Sequence, residues 1–339
     1  MTLRERLQTA WFDKNLAVFL WPLLPLSVVF GVVAALRRGL FRWGIKKAVQ
    51  VPVPVVVVGN LIVGGAGKTP ATLALVEGLK RKGWHPGIVS RGYGGASEVA
   101  AVHTHSDPAI VGDEPVLLAW RSGVPVFVGR QRAQAAQTLL AAHPEVDVIV
   151  CDDGLQHYAL VRDVEIAVFD ARAAGNGFLL PAGPLREPIR RLASVDAILR
   201  NSAPAAAGSD GACPEFSMQL EPGLAYRLNA PEMRQPVTDF AGQQVFALAG
   251  IGHPQRFFNT LAERGLVVDG RAFPDHHPYV AGDLAFAAKG VLLMTEKDAM
   301  KCRRFATDSM WVVPVTARIE PDLVALVAGK IAPLSRSAR

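Results

Sequence analysis

Three features of the sequence predict an α/β fold built on a parallel sheet. Short, unbroken apolar runs recur along the chain, separated by stretches whose apolar residues return at helical spacing. One run, Val55-Val56-Val57-Val58, leads into a glycine-rich turn, GGAGKT, at Gly64–Thr69. Another, Val146–Val150, ends in the acidic pair Asp152-Asp153. Strands that are apolar along their whole length belong in sheets covered on both faces, and such sheets are parallel with helical crossovers. With the glycine turn in place, the expectation is a P-loop NTPase-like parallel sheet flanked by helices.

The elements follow in order. A strand over Val53–Gly59 is followed by a helix over Pro70–Lys82, whose Leu73, Val76 and Leu79 fall on one face. A second strand, His85–Ser90, runs into the tight turn Arg91-Gly92-Tyr93-Gly94-Gly95. Then come a helix over Glu114–Arg121, a strand over Val124–Val128, an Ala/Gln-rich helix over Gln131–Ala142, and strands over Val146–Val150, Val164–Phe169 and Val195–Leu199. Asn201–Pro214, NSAPAAAGSDGACP, is small and Pro/Gly/Ser-rich and reads as a loop or linker. The alternation restarts with strands at Gln244–Ala249, Val267–Phe273, Gly290–Thr295 and Trp311–Val315, and a helix at Pro254–Arg264. The expected organisation is an N-terminal membrane helix (1–38), a phosphate-binding core (39–215) and a smaller C-terminal α/β domain (216–339) joined by a hinge.

Composition narrows the class. The chain has 339 residues, enough for one large or two medium domains, and three scattered cysteines without CxxC spacing. That argues against a disulfide framework or a zinc site and suits a reducing compartment. A net charge of +6 favours anionic partners, while an aromatic content of 7% and the lack of any recognisable motif argue against nucleic acid. Mean hydropathy is +0.23, high for a soluble enzyme.

Part of that hydropathy lies in Asn15–Leu36, NLAVFLWPLLPLSVVFGVVAAL, 22 residues without a charge. As a helix this segment is about 33 Å long, enough for a hydrocarbon core of roughly 30 Å. Arg37, Arg38, Arg42, Lys46 and Lys47 follow, a collar that reads as cytoplasmic and attracted to anionic headgroups. Pro22 and Pro25 leave open a kinked span or an interfacial helix.

The chemistry rests on residue types at fixed spacing. In Gly64, Gly65, Ala66 and Gly67 the glycines let backbone N–H groups face a polyphosphate, Lys68 can reach the β/γ-phosphates, and the Thr69 hydroxyl can hold Mg²⁺ at a helix N-terminus. The usual pattern has glycine where this chain has Ile62. Asp152 and Asp153, at a strand end, are placed to serve the same ion. Gly112-Asp113-Glu114-Pro115 offers either a general base or a helix cap. Phe273-Pro274-Asp275-His276-His277 places two histidines after an aspartate in a Pro-bounded loop. Arg130 and Arg132 are candidates for a phosphate clamp or a helix cap, and Arg186 and Glu187 of LPAGPLREP for ligand contacts. Thr295-Glu296-Lys297-Asp298 lacks the asparagine of a guanine-reading loop, and Gly250-Ile251-Gly252 lacks the third glycine of a dinucleotide fingerprint.

The ordered set GNLIVGGAGKTP, SRGYGG, GDEP, GRQR, DDGLQH, LPAGPLREP, FPDHH and TEKDAMKC resembles the tetraacyldisaccharide 4′-kinase (lipid A 4′-kinase) family of Gram-negative bacteria over nearly the whole chain. The resemblance implies ATP- and Mg²⁺-dependent phosphorylation of the 4′-hydroxyl of tetraacyldisaccharide 1-phosphate, giving lipid IVA at the cytoplasmic face of the inner membrane. It also implies an anionic acylated glucosamine disaccharide as partner, and a monomer is expected. Carried onto matching positions, it gives Lys68 and Thr69 to ATP phosphates and Mg²⁺, and Asp152 and Asp153 to the metal. Asp113 becomes the base, helped by His276, and Tyr93, Gln156 and His157 match further active-site positions. The absence of glycine at position 62 is itself a trait of that family.

Overall fold

The computed structural model describes residues 3–13, 15–92, 98–201 and 213–336. Tyr93, Gly94 and Gly95 of the tight turn, and most of the Asn201–Pro214 linker, lie outside the described residues.

Among the described residues, fifteen strands form two sheets. They are β1 (Val55–Gly59), β2 (Pro86–Ser90), β3 (Ala100–Val102), β4 (Val126–Val128), β5 (Val148–Asp152), β6 (Val164–Phe169), β7 (Ala197–Asn201), β8 (Glu215–Pro222), β9 (Ala225–Arg227), β10 (Ala230–Gln235), β11 (Val245–Ala249), β12 (Val268–Ala272), β13 (Val291–Thr295), β14 (Met310–Val313) and β15 (Val315–Ile319). The helices are α1 (Leu3–Trp11), α2 (Leu24–Arg42), α3 (Lys68–Arg81), α4 (Pro108–Val111), α5 (Asp113–Ser122), α6 (Arg132–Ala142), α7 (Pro254–Ala262), α8 (Ala281–Leu284), α9 (Glu296–Cys302) and α10 (Pro321–Arg336).

The larger sheet runs β15-β8-β7-β6-β1-β5-β2-β4-β3. Its centre is parallel, as the continuous apolar runs require, and it ends in antiparallel pairs, β3 with β4 and β15 with β8. The smaller sheet runs β10-β9-β14-β13-β11-β12, with a parallel half formed by β14, β13, β11 and β12. Strand β1 sits mid-sheet with every residue buried. Its valines alternate between two cores: Val56 and Val58 pack on the α3 side, Val55 and Val57 on the other. Fully burying each stabilises the fold by roughly 1.5–3 kcal/mol. A third apolar cluster, around Phe240, Val245 and Trp311, belongs to the smaller sheet.

Sheet membership divides the chain differently from a single cut at residue 215. The smaller sheet uses only residues 225–313, whereas β8 and β15 complete the edge of the larger one. Helix α10 then packs on α3, where a Cβ on Gly78 would stand 2.7 Å from Val324 Cγ2. That approach requires glycine. Two strands therefore connect the halves, one leaving the larger sheet and one returning.

The N-terminal apolar segment is not one straight helix. A 3₁₀ stretch, Val18–Leu23, holds Pro22, and α2 begins with Pro25 in its first turn. Proline suits that position because its missing N–H would have no helical partner there. One side of α2 is fastened to the loop after β6: Ser27 Oγ accepts from Ala182 N (2.9 Å) and donates to Leu179 O (2.9 Å). Arg38 Nη2 donates to Ser194 Oγ at 2.9 Å. The opposite side leaves Val28, Val29, Val32, Val33 and Leu36 exposed.

Candidate active site

The carboxyl ends of β1 and β5 bring the glycine turn and the acidic pair together, because the two strands are adjacent and parallel. Gly64 (φ 93°) and Gly67 (φ 91°) take the left-handed conformation that lets the turn close onto α3. At Gly67 a Cβ would also meet Asn201 Nδ2 at 2.9 Å. Ile62 is fully buried and bridges to Leu185, so the turn is pinned at its start by the LPAGPLREP loop. A glycine there would keep that backbone bridge but lose the Ile62 side chain from the apolar cluster beneath the turn. Asn60 holds the turn from inside, its Nδ2 donating to Gly64 O at 3.3 Å.

Lys68 Nζ lies 3.5 Å from Asn60 Oδ1 and 3.7 Å from Asp153 Oδ1. Arg186 Nη1 donates to the same carboxylate at 3.2 Å. Burial pushes the Asp153 carboxyl up, but the charges of Lys68, Arg186 and Arg132 outweigh it and hold it below the usual range. Asp152 is buried one step behind, accepting from Thr72 Oγ1 of α3 at 2.8 Å. Burial and then the charge of Glu114 push its carboxyl up to about 7. Of the adjacent acids, Asp153 lines the cleft and Asp152 does not.

The donors available to Mg²⁺ are the Thr69 hydroxyl and these two carboxylates. Among the described residues no group of three or more His, Cys, Asp or Glu forms a metal cage. That donor set fits an ion usually held by one or two carboxylates together with phosphate oxygens and water. Among the described residues no ion pair reaches the Asp152 carboxylate, so a nearby dication would restore the charge that burial disfavours.

Asp113 and His276 meet although 163 residues separate them: His276 Nδ1 is 3.1 Å from both Asp113 oxygens. The cap of α5 is Gly112 (φ 94°), so the Asp113 carboxylate is free to turn toward the histidine. His276 itself holds φ 62°, an uncommon conformation for a non-glycine residue that clusters at functional sites. Burial pushes the Asp113 carboxyl up, yet the hydrogen bond with His276 and the charges of Lys297, His276 and Lys301 hold it at about 2. Asp113 is buried and does not line the cleft, whereas His276 does.

Gln156 donates to Asn60 O (3.1 Å) and Glu187 Oε1 (3.0 Å), linking the acidic strand end to the LPAGPLREP loop. His157 lies among cations: burial and the charges of Arg132, Arg37, Arg91 and Arg162 push it down to about 3. Arg132 donates through Nη2 to the carbonyls of Asp152 (3.1 Å) and Asp153 (2.8 Å), and its buried Nε and Nη1 have no hydrogen-bond partner among the described residues. His277 pairs instead with Asp283 at 3.0 Å, leaving His276 as the histidine on Asp113.

These groups line, or stand directly behind, one cleft of about 1580 Å³. It extends from Phe30, Val33, Ala34 and Arg37 of α2, past Gly64–Thr69 and Asp153, to His276 and Lys297 of the smaller-sheet half. The sequence reading gave no role to Lys297, Lys301, Asn60 or Arg172. Lys297 Nζ stands 3.1 Å from Glu114 and 3.0 Å from Asp275. Arg172 grips Asp170, donates to Gly65 O at 3.0 Å and contacts His253 across the cleft. Only TEKD gave a signal, since a lysine directly after a parallel strand points to the carboxyl edge of its sheet.

The model of the tetraacyldisaccharide-1-P 4′-kinase family matches residues 19–332. A tetraacyldisaccharide 4′-kinase of Dechloromonas aromatica is 54% identical over 328 residues, covering 96% of this chain and 97% of the relative. One from Azoarcus sp. is 52% identical over 305 residues, covering 88% and 87%. Among solved structures, LpxK from Aquifex aeolicus in complex with ATP superposes with a TM-score of 0.79 at 27% identity, over 93% of this chain and 100% of that one. A match of this extent makes the protein a member of the tetraacyldisaccharide 4′-kinase family.

Proposed function

We propose that this protein moves the γ-phosphoryl group of ATP to the 4′-hydroxyl of tetraacyldisaccharide 1-phosphate, giving lipid IVA, with Mg²⁺ as the metal and as a monomer at the cytoplasmic face of the inner membrane. The observation that carries the reading is one cleft bordered by the glycine turn, by His276 with buried Asp113 behind it, and by the apolar helix α2. Phosphoryl transfer needs positioning and charge neutralisation more than covalent chemistry. The backbone N–H groups of Gly64–Gly67 and the Lys68 ammonium supply these on the nucleotide side.

Thr69, Asp153 and, from behind, Asp152 would hold Mg²⁺, which neutralises phosphate charge when bound. On the acceptor side, His276 donates its Nδ1–H to Asp113, and its Nε2 carries the lone pair among the cleft-lining Lys297 and Asp275. That nitrogen takes the proton of the 4′-hydroxyl while Asp113 stabilises the resulting imidazolium, so Asp113 acts through the histidine. Gln156 and the cations around His157 favour an anionic acceptor beside the nucleotide.

The apolar segment is tied to the protein body on one side, through buried Leu20 ahead of α2 and through Ser27 and Arg38 within it. We read it as an interfacial helix whose exposed valines enter the headgroup boundary, rather than as a free span. The cleft then opens where an acylated sugar lies.

Incubation with γ-phosphate-labelled ATP and tetraacyldisaccharide 1-phosphate in mixed micelles tests the function. Label in the lipid, dependent on Mg²⁺, supports it; label only in inorganic phosphate contradicts it.

A further inference from the structure

Helix α9 presents two lysines, Lys297 and Lys301, one helical turn apart. Lys297 lines the cleft, while Lys301 is buried behind it. The Lys301 ammonium lies 3.2 Å from Asp298 Oδ1 and 3.6 Å from Asp113 Oδ2, without a hydrogen bond of good geometry to either. A desolvated ammonium placed this way is costly unless its charge is used.

Asp298 does not need it for hydrogen bonding. That fully buried carboxylate already accepts from Gly250 N (3.0 Å), Tyr279 OH (3.0 Å) and Thr295 Oγ1 (2.6 Å). The second carboxylate within reach is Asp113, whose Oδ1 accepts from Glu114 N at 2.9 Å and whose two oxygens face the His276 ring, with the charges of Lys297 and Lys301 beside it. We propose that Lys301 is a positioning residue for the acceptor-side base: from the smaller-sheet half, its ammonium fixes the Asp113 carboxylate against His276 Nδ1.

The proposal rests on the reading of Asp113 and His276 as that base. It also explains the placement of TEKDAMKC, which puts Asp298 and Lys301 on the same face, three residues apart. Thr295 caps α9 by accepting from Asp298 N at 3.2 Å, and so sets the helix that carries both. The base is thus assembled from both halves of the molecule: Asp113 from α5, and His276 and Lys301 from the opposite side. The ionisable groups facing Asp113 are His276 from its loop and Lys297 and Lys301 from α9, with Glu114 beside it on α5. Among the described residues no ion pair reaches it from α3, α4 or β4.

The test compares Lys301→Met, Lys301→Arg, Asp113→Asn and the Lys301→Met/Asp113→Asn double variant in the full-length protein, with ATP and tetraacyldisaccharide 1-phosphate. Lys301→Met should lower kcat about 10- to 100-fold, a part of what a general base contributes, with KM for both substrates within about threefold. The acidic limb of its kcat–pH profile should move to higher pH, because Asp113 takes a proton more readily without the ammonium. Lys301→Arg should restore most of the lost turnover. In the Asp113→Asn background Lys301→Met should cost nothing further. Should Lys301→Met not fold, Lys301→Gln, which keeps length and a donor but removes the charge, carries the same test.

Wild-type kcat and pH profile in the charge-removing variant, or an undiminished loss in the Asp113→Asn background, overturns the proposal. If Asp113→Asn itself keeps wild-type kcat, the base assignment fails instead, and the two failures are distinguishable.

Discussion

Replacing Lys68 by methionine removes one charge and keeps most of the side-chain stem. The ammonium sits at the first position of α3, 12% exposed and 3.7 Å from Asp153. Against a phosphoryl charge at about 4 Å, with the effective dielectric of about 20 that suits a partly buried site, it contributes about 4 kcal/mol. At roughly 1.4 kcal/mol per tenfold, the expected loss is about three orders of magnitude. Part of that interaction is present in bound ATP and part develops in transfer, so KM for ATP and kcat should share it. Arg186 still neutralises Asp153 at 3.2 Å, so the variant should fold. The assay is steady-state transfer to the lipid acceptor at saturating Mg²⁺, with thermal unfolding as the control. A Lys68→Met protein that retains more than about a tenth of wild-type kcat/KM would refute the placement of ATP on this turn.

Three other outcomes follow from the same geometry. His276→Ala should lower kcat by about 10²- to 10⁴-fold with KM for ATP little changed, measured by steady-state kinetics; a defect confined to ATP affinity would move His276 out of the acceptor site. Asp152, whose carboxyl is pushed up to about 7 by burial and by Glu114, binds a proton more tightly folded than unfolded. Its contribution to stability is therefore fully present below about 4 and lost as pH rises through about 7, while Asp113, held at about 2, contributes in the opposite sense between about 2 and 4. Thermal unfolding of Asp152→Asn without Mg²⁺ should show a flatter dependence than wild type between these limits, and an unchanged slope would contradict the assignment. Val28→Glu with Val32→Glu, on the exposed face of α2, should weaken binding to anionic vesicles about tenfold or more in a flotation assay; unchanged flotation would place the membrane contact elsewhere.

The parallel centre of the larger sheet was legible because its strands are buried on both faces and read as apolar runs. The edges were not. Glu215–Pro222, EFSMQLEP, mixes charge with apolar residues because it lies near the sheet margin, paired antiparallel with Val315–Ile319. No apolar run marks such a strand, so the return of the chain to the larger sheet was invisible. On the site, the glycine turn and the acids after β5 are local in sequence and were readable, as was the Asp113–His276 pairing once the family resemblance was drawn. Lys301 and Arg172 were not readable, since their roles depend on which carboxylate or carbonyl a fold places opposite them. The apolar N-terminal segment showed its composition but not its posture: Ser27 reads as a single polar residue in a lipid-facing run, and its two hydrogen bonds to the 179–182 loop exist only in the folded chain.

The central claim is that the cleft joins ATP to one particular hydroxyl of the lipid. Phosphorus–proton correlation NMR of the lipid recovered after incubation with ATP and Mg²⁺ tests this most directly. The account predicts a new phosphomonoester coupled to the proton at C4′, absent with Lys68→Met. A phosphate on any other hydroxyl, or unmodified lipid alongside hydrolysed ATP, would contradict it.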